Sequence, residues 1–364
     1  TGDAVTTTET VDADLTANGN ELVASTINFS NINDADLSGG ALTGTDTNDE
    51  TFNISTAANA VNVNDIDFTS VAAINAGTST GDAVTTTELV DADLTANGNE
   101  LVASTINFSN INDADLSGGA LTGTDTNNET FEISTTDNAV NVNAIDFTSV
   151  ASINSGTSTG DAITTTEAVD ATLTGANNAV DASNVNFTNI NTADLTGGAL
   201  SGSDNADTFV LDAAGLKANE ILFTAINSLV NAEGGLDDVT GMAGVDWTLT
   251  ANTGELSSTS YQFIGIETAD LVSQALTGTD TNNETFSIST TANAVNVNAI
   301  DFTSVAAINA GVSTGDAVTT TETVNADLTA NGNELVASTI NFSNINDVDL
   351  SGGALTGTDT NDET

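Results

Sequence analysis

The fold is decided by the run Val61-Asn62-Val63-Asn64-Asp65-Ile66-Asp67-Phe68. Apolar and polar residues alternate up to Val63, lose the alternation at Asn64-Asp65, and alternate again up to Phe68. Strict alternation is typical of a β-strand with one buried face. Asn and Asp favour turns, so we interpret each break as a corner that lets the next side chains face inward again. The run predicts short strands separated by corners, whereas a helical stripe persists nowhere.

This run belongs to a long repeat. Residues 1–79 and 80–158 differ at only eight positions. The motif Thr-Gly-Asp-Ala, followed by Val or Ile, opens both repeats and recurs at Thr159 and Thr314. The sequence diverges over 204–262, which holds the only Lys, Met, Trp and Tyr of the chain. We therefore predict one continuous repeat array over 1–364, as a segment of a longer chain.

A shorter repeat lies inside the long one. An apolar, polar, Phe triplet, with Leu in the middle position of one copy, recurs at nearly even intervals, with its Phe at Phe29, Phe68, Phe108, Phe147, Phe187, Phe223, Phe263, Phe302 and Phe342. The sequence is therefore built from a 39-residue unit in two alternating variants. Short strands in stacked repeats predict an all-β fold, a parallel β-solenoid or β-helix. We expect about two three-faced coils per unit and a rod on the order of 90 Å long.

The alternative fold is a string of tandem 79-residue β-sandwich modules. Each module would hold one 39-residue unit of each of the two variants. The Phe anchor repeats at half that period and no Pro occurs in the chain, so the solenoid is the preferred prediction.

Composition excludes several classes of function. The chain carries 52 acidic residues against one Lys, a net charge of −51, so nucleic acid is not an expected partner. Without His or Cys, it can form neither a Cys/His zinc site nor a disulfide. No run approaches the roughly 18 apolar residues of a membrane helix. A hydrophobic content of 38% indicates a folded chain rather than a disordered one.

Clustered carboxylates suggest that the chain could bind calcium, although the sequence requires no cofactor. Calcium takes several oxygen ligands, which clusters of Asp and Glu can supply. The candidate ligands are Asp46, Asp49, Glu50, Asp125, Glu129, Asp204, Asp207, Asp280, Glu284, Asp359 and Asp362. Asp at corners also forms turns, so ordered sites and loose screening by cations both stay open. We expect the two alternating variants to space the carboxylates along the stack.

Catalysis is not expected. Paired carboxylates can hydrolyse glycosides, but such chemistry needs one unique pair, and here the acidic residues recur with the repeat. Repeated Asn, Thr and Asp faces could contact carbohydrate or a cell surface. Aromatic residues make up only 4% of the chain, and most Phe are predicted core residues.

The diverged stretch carries a family resemblance. Its phrases are Ala206-Asp207-Thr208-Phe209-Val210, Gly234-Gly235-Leu236-Asp237-Asp238 and Phe263-Ile264-Gly265-Ile266-Glu267. They resemble the repeats of bacterial surface β-solenoid exoproteins of the filamentous-haemagglutinin-like kind, as in giant surface proteins of cyanobacteria. The resemblance implies a secreted parallel β-helix used in adhesion, a sheath or a surface filament.

These observations predict a structural function. We expect a repeat segment of a secreted extracellular filament, sheath or cell-surface fibre, which self-associates into fibres. The high acidity indicates adaptation to a salty exterior, where ions shorten the range of charge repulsion. The alternative is the stalk of a calcium-dependent bacterial adhesin whose binding tip lies outside this chain.

Overall fold

The structure is a computed structural model that describes residues 2–359. All regular secondary structure in that range consists of β-strands of two to five residues. Within the same range no helix is long and apolar enough to cross a membrane. The strands are short because Asn, Asp, Ser, Thr and Gly interrupt each apolar alternation and favour turns.

The strands follow one another with the same spacing in each repeat. The first two 79-residue repeats contain β1 (Ala4–Thr6), β2 (Ala13–Leu15), β3 (Glu21–Ala24), β4 (Ile27–Ser30), β5 (Asp34–Asp36), β6 (Ala41–Thr43), β7 (Thr51–Ile54), β8 (Val61–Val63), β9 (Ile66–Thr69), β10 (Ala73–Asn75), β11 (Ala83–Thr86), β12 (Ala92–Leu94), β13 (Glu100–Ala103), β14 (Ile106–Ser109), β15 (Asp113–Asp115), β16 (Ala120–Thr122), β17 (Thr130–Ile133), β18 (Val140–Val142), β19 (Ile145–Thr148) and β20 (Ser152–Asn154). The following strands are β21 (Ala162–Thr165), β22 (Ala171–Leu173), β23 (Ala179–Ala182), β24 (Val185–Thr188), β25 (Thr192–Asp194), β26 (Leu200–Ser201), β27 (Thr208–Asp212), β28 (Gly215–Ala218), β29 (Ile221–Thr224), β30 (Leu229–Asn231), β31 (Asp238–Thr240), β32 (Trp247–Leu249), β33 (Glu255–Ser257) and β34 (Gln262–Ile264). The last strands are β35 (Thr268–Asp270), β36 (Ala275–Thr277), β37 (Thr285–Ile288), β38 (Val295–Val297), β39 (Ile300–Thr303), β40 (Ala307–Asn309), β41 (Ala317–Thr320), β42 (Ala326–Leu328), β43 (Glu334–Ala337), β44 (Ile340–Ser343), β45 (Asp347–Asp349) and β46 (Leu355–Thr356).

The chain coils by passing alternately through two sheets. In the first sheet β5 pairs in parallel with β1 and β9, and in the second β10 pairs in parallel with β6 and β14. Ala73 thus stacks on Ala41 of the preceding coil and on Asn107 of the following one. These registers confirm the predicted β-solenoid. The 32-residue coil visits two sheets, so the expectation of two three-faced coils per 39-residue unit is corrected.

Part of each unit forms a hairpin inside one sheet. Asn64 and Asp65 have φ angles of 53° and 64°, as a two-residue type I′ turn requires. This turn makes β8 antiparallel to β9, and β8 is also antiparallel to β7. The break in the alternation therefore reverses the chain within its sheet and is not the corner that the sequence suggested. Each 39-residue unit contains one such three-stranded meander.

The two unit variants differ in the sheet that carries the meander. Strands β2, β3 and β4 form a meander in the second sheet, and β7, β8 and β9 form the next one in the first sheet. The alternation continues with β12 to β14 and β17 to β19. The alternating sequence variants therefore correspond to alternating sheets.

The chain divides into two compact units. One comprises residues 1–169 and 178–196, and the other residues 170–177 and 197–364. In the first unit β7 pairs in parallel with β11, and in the second β37 pairs in parallel with β41. Both pairs join consecutive 79-residue repeats by backbone hydrogen bonds. This pairing rules out tandem 79-residue β-sandwich modules within each unit.

The core lies between the two sheets and is filled largely by Phe side chains. Phe52 of β7 meets Phe108 of β14 across the core, with ring centroids 6.1 Å apart in an edge-to-face arrangement. Similar contacts recur at 5.8 to 6.2 Å in Phe131–Phe187, Phe209–Phe263 and Phe286–Phe342. These rings are fully buried, which stabilises the fold by about 1.5–3 kcal/mol for each side chain. In the diverged stretch Trp247 adds a further contact to Phe263.

Candidate functional site: the buried acidic corners

Acidic side chains are buried where the chain enters strands of the first sheet. Glu50 directly precedes β7 and Asp82 directly precedes β11, the parallel neighbour of β7. The two residues therefore stack, and the Glu50 N–H donates to Asp82 Oδ1 at 2.8 Å. The same bond, at 2.7–2.8 Å, recurs in three further pairs: Glu129–Asp161, Asp207–Asp237 and Glu284–Asp316. We call these four pairs the buried acidic corners.

Hydroxyl groups satisfy part of each corner. The Thr45 hydroxyl donates to Glu50 Oε1 at 2.7 Å, and the Ser79 hydroxyl donates to Asp82 Oδ2 at 2.8 Å. Hydrogen bonds to a carboxylate favour its charged form. The corners thus have a structural role, since the second carboxyl group of each pair accepts the N–H of the acidic residue that directly precedes a strand.

Some oxygen atoms at these corners have no hydrogen-bond partner in the described part of the chain. These buried atoms are Glu129 Oε2, Ser158 Oγ, Asp161 Oδ2, Asp237 Oδ2 and Glu284 Oε2. The four acidic residues are at most 2% exposed. A buried polar atom without a partner costs about 1–3 kcal/mol, and more when it is charged.

The electrostatic environment of the corners disfavours two ionised carboxylates. Burial raises the pKa of Glu129, and the nearby Asp161 carboxylate raises it further, although hydrogen bonds from Thr124 act in the opposite direction. Burial also raises the pKa of Asp237, to about 6. The only basic side chain, Lys217, forms an ion pair with Glu220. No basic side chain therefore compensates the charge of the corners.

The candidate calcium ligands predicted from sequence fall into three groups. Glu50, Glu129, Asp207 and Glu284 lie in the buried acidic corners. The exposed group comprises Asp46, Asp49, Asp125, Asp204, Asp280 and Asp359, whereas Asp362 lies outside the described residues. The exposed group therefore does not share the environment of the corners. Within residues 2–359 no three Asp or Glu side chains converge closely enough to hold a metal ion by themselves.

Three of the exposed candidates, Asp46, Asp125 and Asp280, instead contact the next coil. Asp125 Oδ1 accepts hydrogen bonds from the N–H and hydroxyl of Thr157, both at 3.0 Å. Asp46 accepts a bond from the Thr78 hydroxyl at 2.9 Å. These bonds hold adjacent loops together.

Sequence reasoning missed the second carboxyl group of every corner. Asp82, Asp161 and Asp316 are the Asp of the Thr-Gly-Asp-Ala motif, which the sequence identified only as a marker of the repeat. The available signal was an acidic residue directly before an apolar strand, one coil after a Glu in the same setting. Asp237 occupies the corresponding place in the diverged stretch.

Other carboxylates lie side by side on the outer face of the first sheet. Asp34 pairs with Asp67, and Asp113 with Asp146, as direct neighbours on parallel strands. The expectation that the unit variants space the carboxylates along the stack is wrong at these positions. Partial burial raises the pKa of Asp113, and Asp146 raises it further. An amide from Asn141 donates to Asp146 at 2.6 Å and so disperses part of the charge.

The arrangement of a corner suits a shared proton or a hard cation, because two carboxyl groups lie together without a basic partner. Shallow depressions also lie over the meanders β7–β9 and β17–β19, lined by equivalent residues such as Asn62 and Asn141.

Comparison with protein-family models, curated proteins and solved structures finds no match to this chain.

Proposed function

We propose that this chain is a structural repeat segment of a secreted extracellular filament, sheath or cell-surface fibre. The observation that carries the proposal is the recurrence of the same strand pairing in successive repeats. Thr51–Ile54 pairs with Ala83–Thr86, and Thr130–Ile133 pairs with Ala162–Thr165 in the same register. A chain that repeats one pairing pattern can lengthen by adding units, because each new strand finds the same partner edge.

The distribution of side chains favours a structural role over a binding or catalytic one. The buried acidic corners, the Phe contacts and the depressions over the meanders all recur with the repeat. A catalytic or specific binding site normally needs one distinct constellation of side chains. Repetition of these features instead favours a function in which length and surface matter.

The charge supports the proposed location outside the cell. The chain has a net charge of −51, and the fold places some of its carboxylates one strand spacing apart, as in the pair Asp113 and Asp146. Such neighbours repel each other. Salt near 1 M reduces the Debye length to about 3 Å, which would weaken this repulsion. The resemblance to filamentous-haemagglutinin-like exoproteins is part of the same proposal.

Immunogold electron microscopy tests the proposal directly. Antibodies raised against the purified chain are applied to intact cells of the producing organism and, in parallel, to permeabilised cells. We expect gold particles on fibres or a sheath outside intact cells, whereas an antibody against a cytosolic protein labels only permeabilised cells. Labelling confined to permeabilised cells would overturn the extracellular role, and scattered label without any fibre or sheath would overturn the structural one.

A further inference from the structure

Three loops of the second sheet contain the pair Asn-Gly, which occurs nowhere else in the chain. The pairs are Asn18-Gly19 between β2 and β3, Asn97-Gly98 between β12 and β13, and Asn331-Gly332 between β42 and β43. Each of these Asn side chains is exposed. The corresponding loops of the first-sheet meanders hold other residues, such as Ala57-Ala58 between β7 and β8. The pair is therefore a property of the second-sheet loops.

The backbone of these loops does not require glycine. None of the three glycines has a φ in the left-handed region, where glycine is favoured. A Cβ on Gly98 would meet no atom closer than 3.6 Å, and a Cβ on Gly332 would meet nothing within 4 Å. Thr253 occupies the corresponding place between β32 and β33, so even a branched side chain fits there. The shape of the loop does not explain the glycines, whereas their chemistry does.

We propose that Asn18, Asn97 and Asn331 are sites of spontaneous deamidation in the folded chain. Asn is a chemically labile residue. The backbone nitrogen of the following glycine attacks Cγ of the Asn side chain and closes a five-membered succinimide ring. The bond from Cγ to the side-chain nitrogen breaks, and this nitrogen takes up the glycine proton and leaves as ammonia. One water molecule then opens the ring and gives aspartate or isoaspartate.

The structure leaves the attacking nitrogen accessible. Glycine has no Cβ that would shield its nitrogen or restrict rotation of its backbone. The N–H of Gly98 donates to no backbone carbonyl within residues 2–359, so no backbone hydrogen bond has to break before the attack. The Asn97 side chain donates to Glu100 in an exposed contact. Because water competes for this contact, we expect it to slow the reaction without preventing it.

The aspartate product places two carboxylates against each other. The Asn97 side-chain amide donates to Glu100 Oε2 at 2.8 Å. The equivalent bonds measure 2.8 Å from Asn18 to Glu21 and 2.9 Å from Asn331 to Glu334. Deamidation replaces the donor with a second carboxylate, and none of the three loops contains a basic residue. Each event therefore turns an attractive contact into a repulsive one.

The reaction also affects the contact between successive meanders. Asn99 lies two residues after Asn97 and donates its N–H to Asn143 O at 2.8 Å. Its side-chain amide donates to Ala144 O at 3.1 Å. In isoaspartate the backbone passes through the side chain, which adds one backbone atom to the loop ahead of Asn99. We therefore expect deamidation to weaken the second-sheet meanders one loop at a time.

Timed incubation of the folded full chain tests the sites. Samples are taken over several weeks at mildly alkaline pH and cleaved after Glu, which releases the loops in the separate peptides 10–21, 89–100 and 323–334. Chromatography and peptide sequencing by mass spectrometry then measure conversion of amide to acid, relative to the first sample. We expect conversion at all three Asn-Gly pairs. The matched control is Asn252, which donates to Glu255 at 2.9 Å but precedes Thr253, and it should stay unconverted.

The variant Gly98→Ala separates the chemistry of the pair from the exposure of the loop. It should slow conversion of Asn97 about tenfold or more, because its Cβ hinders the attacking nitrogen. Asn18 and Asn331 in the same molecules should keep their rates. Conversion of Asn97 no faster than that of Asn252 would overturn the proposal, as would an unchanged rate in Gly98→Ala or conversion only in denatured samples. The fibre role would stand in each of these cases, because it does not depend on this reaction.

Discussion

A set of asparagines links successive meanders at the residue scale. They lie in the first loop of their meanders with φ of 57–59°, and their backbone N–H groups donate to the turn of the next meander, at Asn20, Asn59, Asn99, Asn138 and Asn293. The Asn138 N–H donates to Ser183 O at 2.7 Å, and its side-chain amide donates to Val150 O and Asn184 O at 2.9 and 2.8 Å. Asn138 thus tolerates a left-handed backbone and also bonds the turn of the next meander.

Replacement of Asn138 tests this linkage. Asn138→Ala should lower the free energy of unfolding by about 2–3 kcal/mol, because it loses two side-chain bonds and strains a left-handed residue. Asn138→Gly should lose less, since glycine adopts this conformation freely; Gly254 occupies such a place in the diverged stretch, with φ of 71°. Urea unfolding measures both variants. Equal stability of the alanine variant and the original chain would contradict the role of the bonds.

The type I′ turns give a second prediction at this scale. Ala144 has φ of 61° in the turn between β18 and β19, where a Cβ is unfavourable. Ala144→Gly should therefore raise the free energy of unfolding by about 1 kcal/mol. The control is Ala162→Gly, within strand β21, which should be destabilising. A loss of stability in both variants would mean that residues 143 and 144 do not form this turn.

At the element scale the packing of the two sheets depends on the facing aromatic side chains. Phe131→Ala removes a buried ring that meets Phe187 at 6.0 Å and should lower the free energy of unfolding by about 3–5 kcal/mol. Leu89→Thr changes an exposed residue of 62% relative accessibility to its counterpart in the first repeat, Thr10. We expect a change within about 0.5 kcal/mol. Similar urea midpoints for the two variants would contradict the two-sheet core.

The strands could be predicted from the sequence, but their connections could not. Alternation in Val61 to Val63 and in Ile66 to Phe68 indicates two strands correctly. A break of two residues is compatible with a corner or with a hairpin, and only pairing with a partner strand decides between them. Asn64-Asp65 adopts positive φ at both positions, which the identity of the residues allows but does not require. The coil length depends on that choice.

The acidic corners were half predictable for a related reason. Glu50 stands in a cluster of carboxylates that the sequence makes obvious, whereas Asp82 stands alone before a strand. Their contact depends on the parallel pairing of β7 with β11, which brings together residues one coil apart. The same pairing explains why Asp46 and Asp49, although near Glu50 in sequence, do not share its environment.

At the scale of the whole molecule, protonation of a buried carboxyl group should stabilise the diverged stretch at low pH. Burial raises the pKa of Asp237 to about 6, with contributions from Asp207, Glu267 and Asp238. A carboxyl group that binds its proton more tightly in the folded state adds stability below its unfolded pKa, about 3.9, and loses that contribution as pH rises towards 6. The urea concentration at the midpoint of unfolding should therefore decrease as the pH rises from about 4 to about 6 in calcium-free buffer.

The variant Asp237→Asn isolates this contribution. Other carboxylates act in the opposite direction, because hydrogen bonds from Thr56, Thr135 and Thr290 lower the pKa of Glu88, Glu167 and Glu322, respectively. Subtracting the pH profile of the variant from that of the original chain cancels these effects. The difference should decline from about pH 4 to 6 and stay flat above it. A flat difference over the whole range would show that Asp237 is not a buried acid.

Disulfide cross-linking tests the two-sheet coil most directly, since the chain contains no Cys. Glu132 on β17 is the parallel partner of Thr164 on β21, at a strand spacing of about 4.8 Å that a disulfide can bridge. The double variant Glu132→Cys/Thr164→Cys should form an intramolecular disulfide under native conditions. Glu132→Cys/Ser152→Cys should not, because Ser152 lies on β20 in the other sheet. A solenoid with two coils in every 39-residue unit would reverse this outcome, and that reversal would contradict the fold described here.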